Sequence, residues 1–424
     1  MTHRYNAVLA ALAFAQGTCL LGTEAPRTFE LEAETSRDYL PLTCAALRSL
    51  TQKLQANSHM TLFHDSTVGE AEKALIRRAL SQEGEFSHHV DFRSVESELQ
   101  ALPDAFQPIW QNMNTIMNDD GKKLFIAIRP LFPVFLGHLS HTIHLDMDAI
   151  VKDDLSSILA ECLTKEQPIV SARLDIHPRE FAKNELFKEY DGGHVSGGLM
   201  VFNWAAWLDF FKTMFGNDQQ ENPGDIRSLT FRWLSNVFDY VRHDGLRFAA
   251  YWELKPGQIM MVREEEGLFS ILLQVWKERM GHTKISFLSP IFNSRPRNRF
   301  FATIFLQRSQ NVTQRDRESL QQYIDGKVAV WHWDHEPKPL ALEREKDERV
   351  QDYTFSLDVA TRDYFRVYEE FLRELSQNDT EGFATFMEIV QSQCPNDAFL
   401  AHWLLGRLGL PAVDNSAEAS SSAE

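Results

Sequence analysis

From Thr28 onward the chain alternates between short apolar pieces typical of strands and longer pieces in which apolar residues recur at helical spacing. Residues 28–34 (TFELEAE) are predicted to form a strand. Apolar residues between Tyr39 and Leu54 then follow the period of a helix, with Asp38 placed to cap it and Pro41 in its first turn. The first unit of the pattern is therefore a strand followed by a helix.

The same alternation continues to about residue 150. Residues 60–63 (MTLF) predict a short buried strand, and a second helix is expected at about 70–80. An apolar segment at 123–136, interrupted by two prolines, is typical of a helix that prolines begin or break, and it leads to a strand at 142–145. This order predicts an α/β fold with a mostly parallel central sheet flanked by helices. In such sheets, ligands bind beyond the carboxyl ends of the strands.

Four regions are expected along the chain. An N-terminal extension, 1–27, contains an apolar run at 7–15 that is either a helix packed on the domain or a signal-like segment. The packed helix is favoured over the signal-like segment, and a cytoplasmic location is accordingly favoured over the secretory pathway. The main domain is expected at 28–340 and a helical region at 341–410, whose apolar residues are interpreted as core rather than as membrane contacts. The polar tail, 411–424, has almost nothing to bury and is predicted to be disordered.

The chain has 424 residues, with 43 Lys and Arg against 60 Asp and Glu, and a formal net charge of −17. This balance argues against a general affinity for nucleic acid or an anionic membrane, since both require clustered positive charge. A phosphate-bearing substrate would need cations supplied locally, by a metal or by a few Lys and Arg residues. Four scattered cysteines predict neither a disulfide framework nor a zinc site. No apolar run approaches the roughly 20 residues of a membrane span.

Two carboxylates, Asp146 and Asp148, lie one residue apart where the predicted strand 142–145 ends. If the strand continues through both, they lie on one face of the sheet; if the chain turns there, they can approach a common point. Paired carboxylates at such an edge suit a hard divalent cation that can hold a diphosphate. The alternative is a pair of solvated carboxylates in a turn.

A second group of candidate residues lies almost two hundred positions later. Residues 328–332 (VAVWH) predict a strand that delivers the imidazole of His332, and Lys338 follows in an extended turn. Imidazole is an acceptable ligand for a Mn²⁺-like metal beside two carboxylates, and Lys338 could neutralise a phosphate as a point charge. The alternative is a surface turn rich in aromatic and charged residues, in which His335 competes with His332.

A third candidate is the glycine-containing segment 192–198 (GGHVSGG), which precedes the apolar run 199–202. Glycines before a buried strand allow the backbone to approach a ligand closely, although a simple loop-to-strand turn explains them equally well. The segment is not a phosphate loop, because no Gly-Lys pair follows and the glycines do not begin a helix.

The order of these pieces over about residues 28–340 resembles the family 8 glycosyltransferases, retaining enzymes that include glycogenin and bacterial lipopolysaccharide galactosyltransferases. The resemblance implies a GT-A fold, which is Rossmann-like. It also implies that the turn containing Thr35, Asp38 and Tyr39 holds the nucleotide base, with Tyr39 as the stacking aromatic. Arg129 matches an arginine that approaches the diphosphate. Ser36 replaces an acidic residue of the family pattern.

The resemblance assigns further roles along the chain. Asp146 and Asp148, with Met147 between them, match the D-x-D metal and donor site, and His332 and Lys338 match a closing motif in which His335 replaces a glycine. The remaining matches are to residues around the donor sugar in the family. Asp175 matches an active-site acid, and Ser196 and Gly197 match a donor-contacting strand, with Ser196 in place of an asparagine. Asp218 and Gln219 stand in for a D-Q-D motif.

The resemblance therefore implies a metal-dependent retaining glycosyltransferase that uses Mn²⁺ or Mg²⁺ and a UDP-sugar donor, with UDP-glucose or UDP-galactose expected. No nucleic-acid partner is expected. The acceptor, whether glycan, lipid or protein, is not identified by the sequence. One alternative is a degenerate transferase that binds a nucleotide sugar without turnover. Another is a haloacid-dehalogenase-like phosphohydrolase with Asp146 as nucleophile, which the absence of a downstream G-D-x-x-x-D motif disfavours.

Overall fold

A computed structural model describes the part of the chain that contains most of these candidates. The described residues are 28–81, 85–108, 110–111, 125, 128–173, 195–215, 225–235, 264–282, 286–288, 292, 294, 314, 321, 328–332 and 354–393. The N-terminal extension, the polar tail and the candidates Asp175, Asp218, Gln219, His335 and Lys338 lie outside them. Within the described residues, no helix is long and apolar enough to cross a membrane.

The first part of the described chain alternates strands and helices as predicted. Its elements are β1 (Thr28–Thr35), α1 (Leu40–Lys53), β2 (Asn57–His64), α2 (Glu70–Leu80), β3 (His88–Ser94) and α3 (Val95–Gln100). The predicted cap is wrong: Asp38 lies in a 3₁₀ turn, Arg37–Tyr39, and the N-cap position of α1 is Tyr39, which makes no side-chain capping bond. The turn sets the start of the helix, because its last residue already has helical backbone angles.

The second part contains shorter strands and a helical C-terminal region. Its elements are α4 (Phe132–Leu136), β4 (His141–Leu145), β5 (Ala149–Val151), α5 (Ser156–Cys162), β6 (Ile169–Arg173), β7 (Val195–Asn203), α6 (Trp204–Phe215), α7 (Glu264–Arg279), β8 (Val330–His332), α8 (Thr354–Asn378) and α9 (Thr380–Gln393). Residues 226–235 are also helical. The helical pattern predicted after residue 340 is thus present in α8 and α9.

Six strands form a mostly parallel sheet in the order β3-β2-β1-β4-β7-β6. β7 runs antiparallel to both of its neighbours, and the other strands share one direction. β5 and β8 form a separate antiparallel pair. The predicted α/β class with a mostly parallel central sheet and flanking helices is confirmed.

Apolar residues on the two faces of the sheet enter two different cores. On one face, β1 packs with α1, α2 and α5, and the same core includes Tyr368 and Phe371 of α8 and Phe386 of α9. On the other face, Phe63 and Phe202 meet an aromatic cluster from α4, α6 and α7. The buried position of Phe386 supports its interpretation as a core residue.

The topology brings several candidate residues to one edge of the sheet. β1, β2 and β4 end at this edge because they are parallel, whereas β7 begins there because it is reversed. A backbone bond from Asp146 N to Gly198 O (3.1 Å) joins the end of β4 to the start of β7. The residues after β1 and β4 and at the start of β7 therefore surround one region.

Candidate functional site

Asp146 and Asp148 converge through a tight turn rather than through strand alternation. The turn connects β4 to β5, and the carbonyl oxygen of Asp146 accepts a hydrogen bond from Ala149 N (3.1 Å). Met147, at the centre of the turn, packs its side chain into the core. The turn therefore leaves the carboxylates at the sheet edge while Met147 anchors the backbone between them.

His332 reaches the same point from the opposite strand of the separate pair. β8 runs antiparallel to β5 and places His332 opposite Ala149, the residue after Asp148. Its Nε2 lies 3.2 Å from Asp146 Oδ2 and 3.2 Å from Asp148 Oδ1. The structure thus brings together the three residues that the sequence analysis assigns to a metal.

The charges of this group depend on one another. Burial lowers the pKa of His332, but the charges of Asp148 and Asp146 and their hydrogen bonds outweigh burial and raise it to about 9. Burial raises the pKa of Asp146, but the Arg129 guanidinium and the two histidines outweigh that effect and hold it well below its usual range. Without a metal, a protonated imidazole therefore compensates the carboxylates.

The donor set fits a divalent cation. Asp146, Asp148 and His332 each offer one ligand atom, and these atoms lie within 4.8 Å of one another. Two carboxylate oxygens and one imidazole nitrogen suit Mn²⁺, and the carboxylates also suit Mg²⁺. Both carboxylates retain some exposure, with about one seventh of each side chain accessible to solvent.

Arg129 lies beside the metal-ligand set in a fixed orientation. It occupies a 3₁₀ turn directly before α4, and its Nε and Nη2 donate to the two carboxylate oxygens of Glu34 at 2.8 and 3.2 Å. Nη2 also donates to Asp146 Oδ1 at 2.5 Å. Two-pronged pairing of this kind restricts the guanidinium more than a single contact would.

Gly197 allows the start of β7 to approach this arginine closely. A Cβ at that position would lie 3.2 Å from Arg129 Nη1 and 3.5 Å from Asp146 Oδ2. A side chain would therefore crowd the guanidinium of Arg129, whereas its distance to Asp146 would be an ordinary van der Waals contact. Gly197 lies inside β7 rather than before the strand as predicted, and its lack of a side chain permits this close backbone approach.

A buried charged group beneath Asp146 was missed by the sequence analysis. His144 Nε2 lies 3.0 Å from Asp146 Oδ1, and its Nδ1 lies 3.1 Å from Glu32 Oε1. Burial lowers the pKa of His144, but the charges of Glu32 and Glu34 outweigh it and raise the pKa to about 10. Burial also raises the pKa of Glu32 to about 7, against the lowering effect of His144. These side chains form a second ionisable layer behind the metal-ligand set.

Glu266 is another site residue that the sequence analysis missed. It lies in the first turn of α7, and its Oε1 accepts a hydrogen bond from Gly197 N at 2.6 Å. The sequence does mark this position, because three consecutive glutamates begin the helix. Their distance to the D-x-D turn could not be judged without the fold.

The residues predicted to hold the base divide into a buried and an exposed set. Thr35 is buried, and its hydroxyl lies 2.7 Å from the hydroxyl of Thr43, which links β1 to α1. Asp38 is exposed, and Tyr39 has 46% of its surface accessible, the one large exposed hydrophobic side chain of the described residues. Asp38 and Tyr39 are thus accessible to a ligand, whereas the side chain of Thr35 supports the turn.

Ser196, the other candidate at the start of β7, is fully buried. Its backbone N donates to Ser171 Oγ at 3.0 Å, and that hydroxyl donates to the carbonyl oxygen of Ser196 at 3.0 Å. These contacts fasten β7 to β6 directly beside Gly197. Asp175, Asp218, Gln219 and Lys338 lie outside the described residues, so their assigned roles stay predictions.

Comparison with known proteins gives structural similarities only. No family model and no curated sequence matches the chain. The fold is similar to that of a galactosyltransferase, LgtC, solved with donor and acceptor sugar analogues, at 13% identity and a TM-score of 0.47, covering 81% of this chain and 96% of that chain.

Two further solved structures are similar at the same level. Mouse xyloside xylosyltransferase 1 shares 15% identity with a TM-score of 0.45, over 72% of this chain and 98% of that chain. The glycosyltransferase GlyE of Streptococcus pneumoniae shares 13% identity with a TM-score of 0.41, over 80% of this chain and 64% of that chain. Identities and TM-scores this low carry no functional argument, so function has to be inferred from the geometry of this chain.

Proposed function

We propose that this protein is a metal-dependent glycosyltransferase of the GT-A type that takes a hexose from a nucleotide sugar. The observation that carries the proposal is the meeting of Asp146, Asp148 and His332 at the carboxyl edge of a mostly parallel sheet. Arg129 adds a fixed positive charge beside them. A site of this composition suits a diphosphate, and a nucleotide sugar presents its diphosphate as the leaving group.

Several side chains of the protein would bind the donor together. Asp146, Asp148 and His332 Nε2 would hold Mn²⁺ or Mg²⁺, and the bound cation would supply Lewis-acid stabilisation of the negative charge that develops on the diphosphate. Arg129 is already oriented by Glu34, so its charge needs no reorganisation during the reaction. Fixed charge of this kind is usually the largest contribution to catalysis.

The exposed turn after β1 would hold the base of the donor. The ring of Tyr39 is accessible for stacking, and Asp38 beside it offers a carboxylate to the base edge. A uridine donor, UDP-glucose or UDP-galactose, is our proposal for this turn. Retention by same-face substitution, without a covalent intermediate, completes the proposal, and the acceptor is left open.

Replacing one metal ligand tests the proposal directly. In Asp148→Asn, the loss of one anionic ligand should weaken Mn²⁺-dependent binding of UDP-sugars by more than the roughly 10- to 100-fold that is typical when a group behind the metal ligands is changed. Calorimetric titration of UDP-glucose and UDP-galactose, with and without Mn²⁺, measures this effect. Far-ultraviolet circular dichroism should remain that of the wild type.

Asp91→Asn is the matched control, because Asp91 lies on β3 and contacts His59 on an exposed part of the sheet. The control should bind donors as the wild type does. Undiminished Mn²⁺-dependent binding in Asp148→Asn would contradict the proposal.

Release of free UDP by the wild type distinguishes a transferase from a protein that binds nucleotide sugars without turnover, since the latter shows thermal stabilisation alone.

A further inference from the structure

The separate strand pair β5–β8 carries two of the three proposed metal ligands. Asp148 directly precedes β5, and His332 ends β8 opposite Ala149. The β5–β8 ladder sets the distance between Asp148 and His332. Because this pair is not part of the six-stranded sheet, its position relative to Asp146 depends on the groups that support the pair. Asp146, in contrast, follows directly from β4 of the sheet.

One carboxylate on α8 contacts both strands of this pair. Asp363 Oδ2 accepts a hydrogen bond from Trp331 Nε1 at 3.0 Å and lies 2.5 Å from Lys152 Nζ. Trp331 directly precedes His332, and Lys152 directly follows β5. Lys152 is also bound through its backbone, since its N–H donates to Ala329 O at 2.8 Å. Asp363 thus fastens the strand of Asp148 and the strand of His332 to the same helix.

The helix that bears Asp363 is itself held in place by contacts distant from the metal-ligand set. Glu374 forms ion pairs with Arg48 and Arg78, and Glu370 accepts a hydrogen bond from Gln52 at 2.9 Å. The apolar side of α8 packs into the core that this helix shares with α1. α8 is therefore held by its buried apolar side as well as by these polar contacts, so the loss of one ion pair leaves the helix docked. Asp363 connects this docked helix to β5 and β8.

We propose that Asp363 is a positioning residue for the metal site. By joining Trp331 and Lys152, it keeps His332 Nε2 and the Asp148 carboxylate within reach of one cation. The inference rests on the proposed function and extends it, because it makes the C-terminal helices part of the metal site. Outer groups that orient metal ligands typically change metal affinity 10- to 100-fold.

Mn²⁺ binding by the full chain, without any nucleotide, tests this role. Asp363→Asn and Lys152→Met each remove the ion pair and should raise the Kd for Mn²⁺ by about tenfold. The double variant should bind no more weakly than the weaker single variant, since both changes break the same contact. Calorimetry and the paramagnetic resonance signal of free Mn²⁺ give the Kd.

Glu374→Gln is the matched control, because Glu374 is on the same helix and forms ion pairs but does not contact β5 or β8. It should keep the wild-type Kd, even if its melting temperature falls. Amide hydrogen exchange of the metal-free protein gives a second measure: exchange at 330–332 should be faster in Asp363→Asn and Lys152→Met and unchanged in Glu374→Gln.

The two proposals fail in different ways. A wild-type Kd in Asp363→Asn and Lys152→Met, with or without a lower melting temperature, overturns the positioning role and leaves the proposed function intact. A wild-type chain that does not bind Mn²⁺ overturns the proposed function, and the positioning role with it. Weaker Mn²⁺ binding in all variants, Glu374→Gln included, also overturns the positioning role. It would show that any change that loosens the packing of α8 weakens metal binding, whether or not Asp363 is involved.

Discussion

The carboxylate of Asp146 is surrounded by cationic groups even without a metal. Arg129 Nη2 and His144 Nε2 lie 2.5 and 3.0 Å from its Oδ1, and His332 Nε2 lies 3.2 Å from its Oδ2. His332, with a pKa raised to about 9, is protonated at neutral pH. A cation that binds through His332 Nε2 must therefore displace a proton.

This exchange predicts that metal affinity depends on pH. Below about pH 9, the Mn²⁺ association constant should rise about tenfold per pH unit, because one proton leaves His332 for each ion bound. Calorimetric titrations of Mn²⁺ between about pH 6.5 and 8.5, in buffers with different ionisation enthalpies, measure both the affinity and the number of protons released. A constant affinity over this range, with no proton release, would contradict the assignment of His332 as a ligand.

Single residues show where sequence reasoning succeeded and where it failed. Asp146 and Asp148 could be chosen because they follow an apolar strand, whereas His332 was chosen largely because a family motif matches there. Glu32 and Glu34 stand at alternate positions of β1, a pattern typical of a solvent-facing side, yet both are buried. Their partners, Arg129 and His144, come from distant parts of the chain, so the pattern of β1 alone could not reveal the burial.

The same limit applies at the scale of elements. β1, α1, β2, α2 and β4 were predictable, because each buries a periodic set of apolar residues. β3 was not, because its sequence HHVDFRS lies at the sheet edge and stays half exposed. The reversed direction of β7 was also not predictable, since direction depends on the connecting chain and not on the pattern of the strand itself.

The helices α8 and α9 share a core with the sheet, which gives a prediction for stability. Phe371 of α8 is fully buried, and its ring lies 5.7 Å from that of Phe386 in α9. Phe371→Ala should lower the free energy of unfolding by about 3–5 kcal/mol, because it leaves a cavity in this core. Urea unfolding, followed by circular dichroism and by tryptophan fluorescence, measures the loss.

The two signals should change together in this experiment, since α8 and the sheet unfold as one unit if they share a core. Arg373→Ala, an exposed change two residues away on the same helix, should alter the free energy by no more than about 0.5 kcal/mol. Two separate transitions would contradict a shared core and favour an independent helical region. The domain boundary near residue 340 stays a prediction.

At the scale of the whole molecule, the buried ionisable groups make the stability of the metal-free protein depend on pH. His332 and His144 have folded pKa values of about 9 and about 10, above the ordinary 6.5. Their contribution is complete below about pH 6.5 and is lost as the pH rises through these values. The pKa of Glu32 is raised from 4.5 to about 7. Its contribution to stability is therefore also lost as the pH rises, but between about pH 4.5 and 7.

The metal-free protein should therefore lose several kcal/mol of unfolding free energy between about pH 6.5 and 10, since each unit by which a histidine pKa is raised corresponds to about 1.4 kcal/mol. Urea denaturation in the presence of a chelator, at intervals of one pH unit, measures this loss. In His332→Gln the loss should be smaller, because one of the titrating groups is gone. A free energy that stays constant or rises over this range would contradict the ion pairing described for the two histidines.

The charged layer behind Asp146 also has a consequence for how the chain folds. Glu32 and Glu34 come from β1, His144 from β4 and Arg129 from the turn before α4, so no pair of neighbouring segments contains the full set. An intermediate that had joined only some of these pieces would enclose carboxylates without their counter-ions, which is strongly unfavourable. Half-assembled forms of the sheet should thus be scarce, and its centre should form in one concerted step.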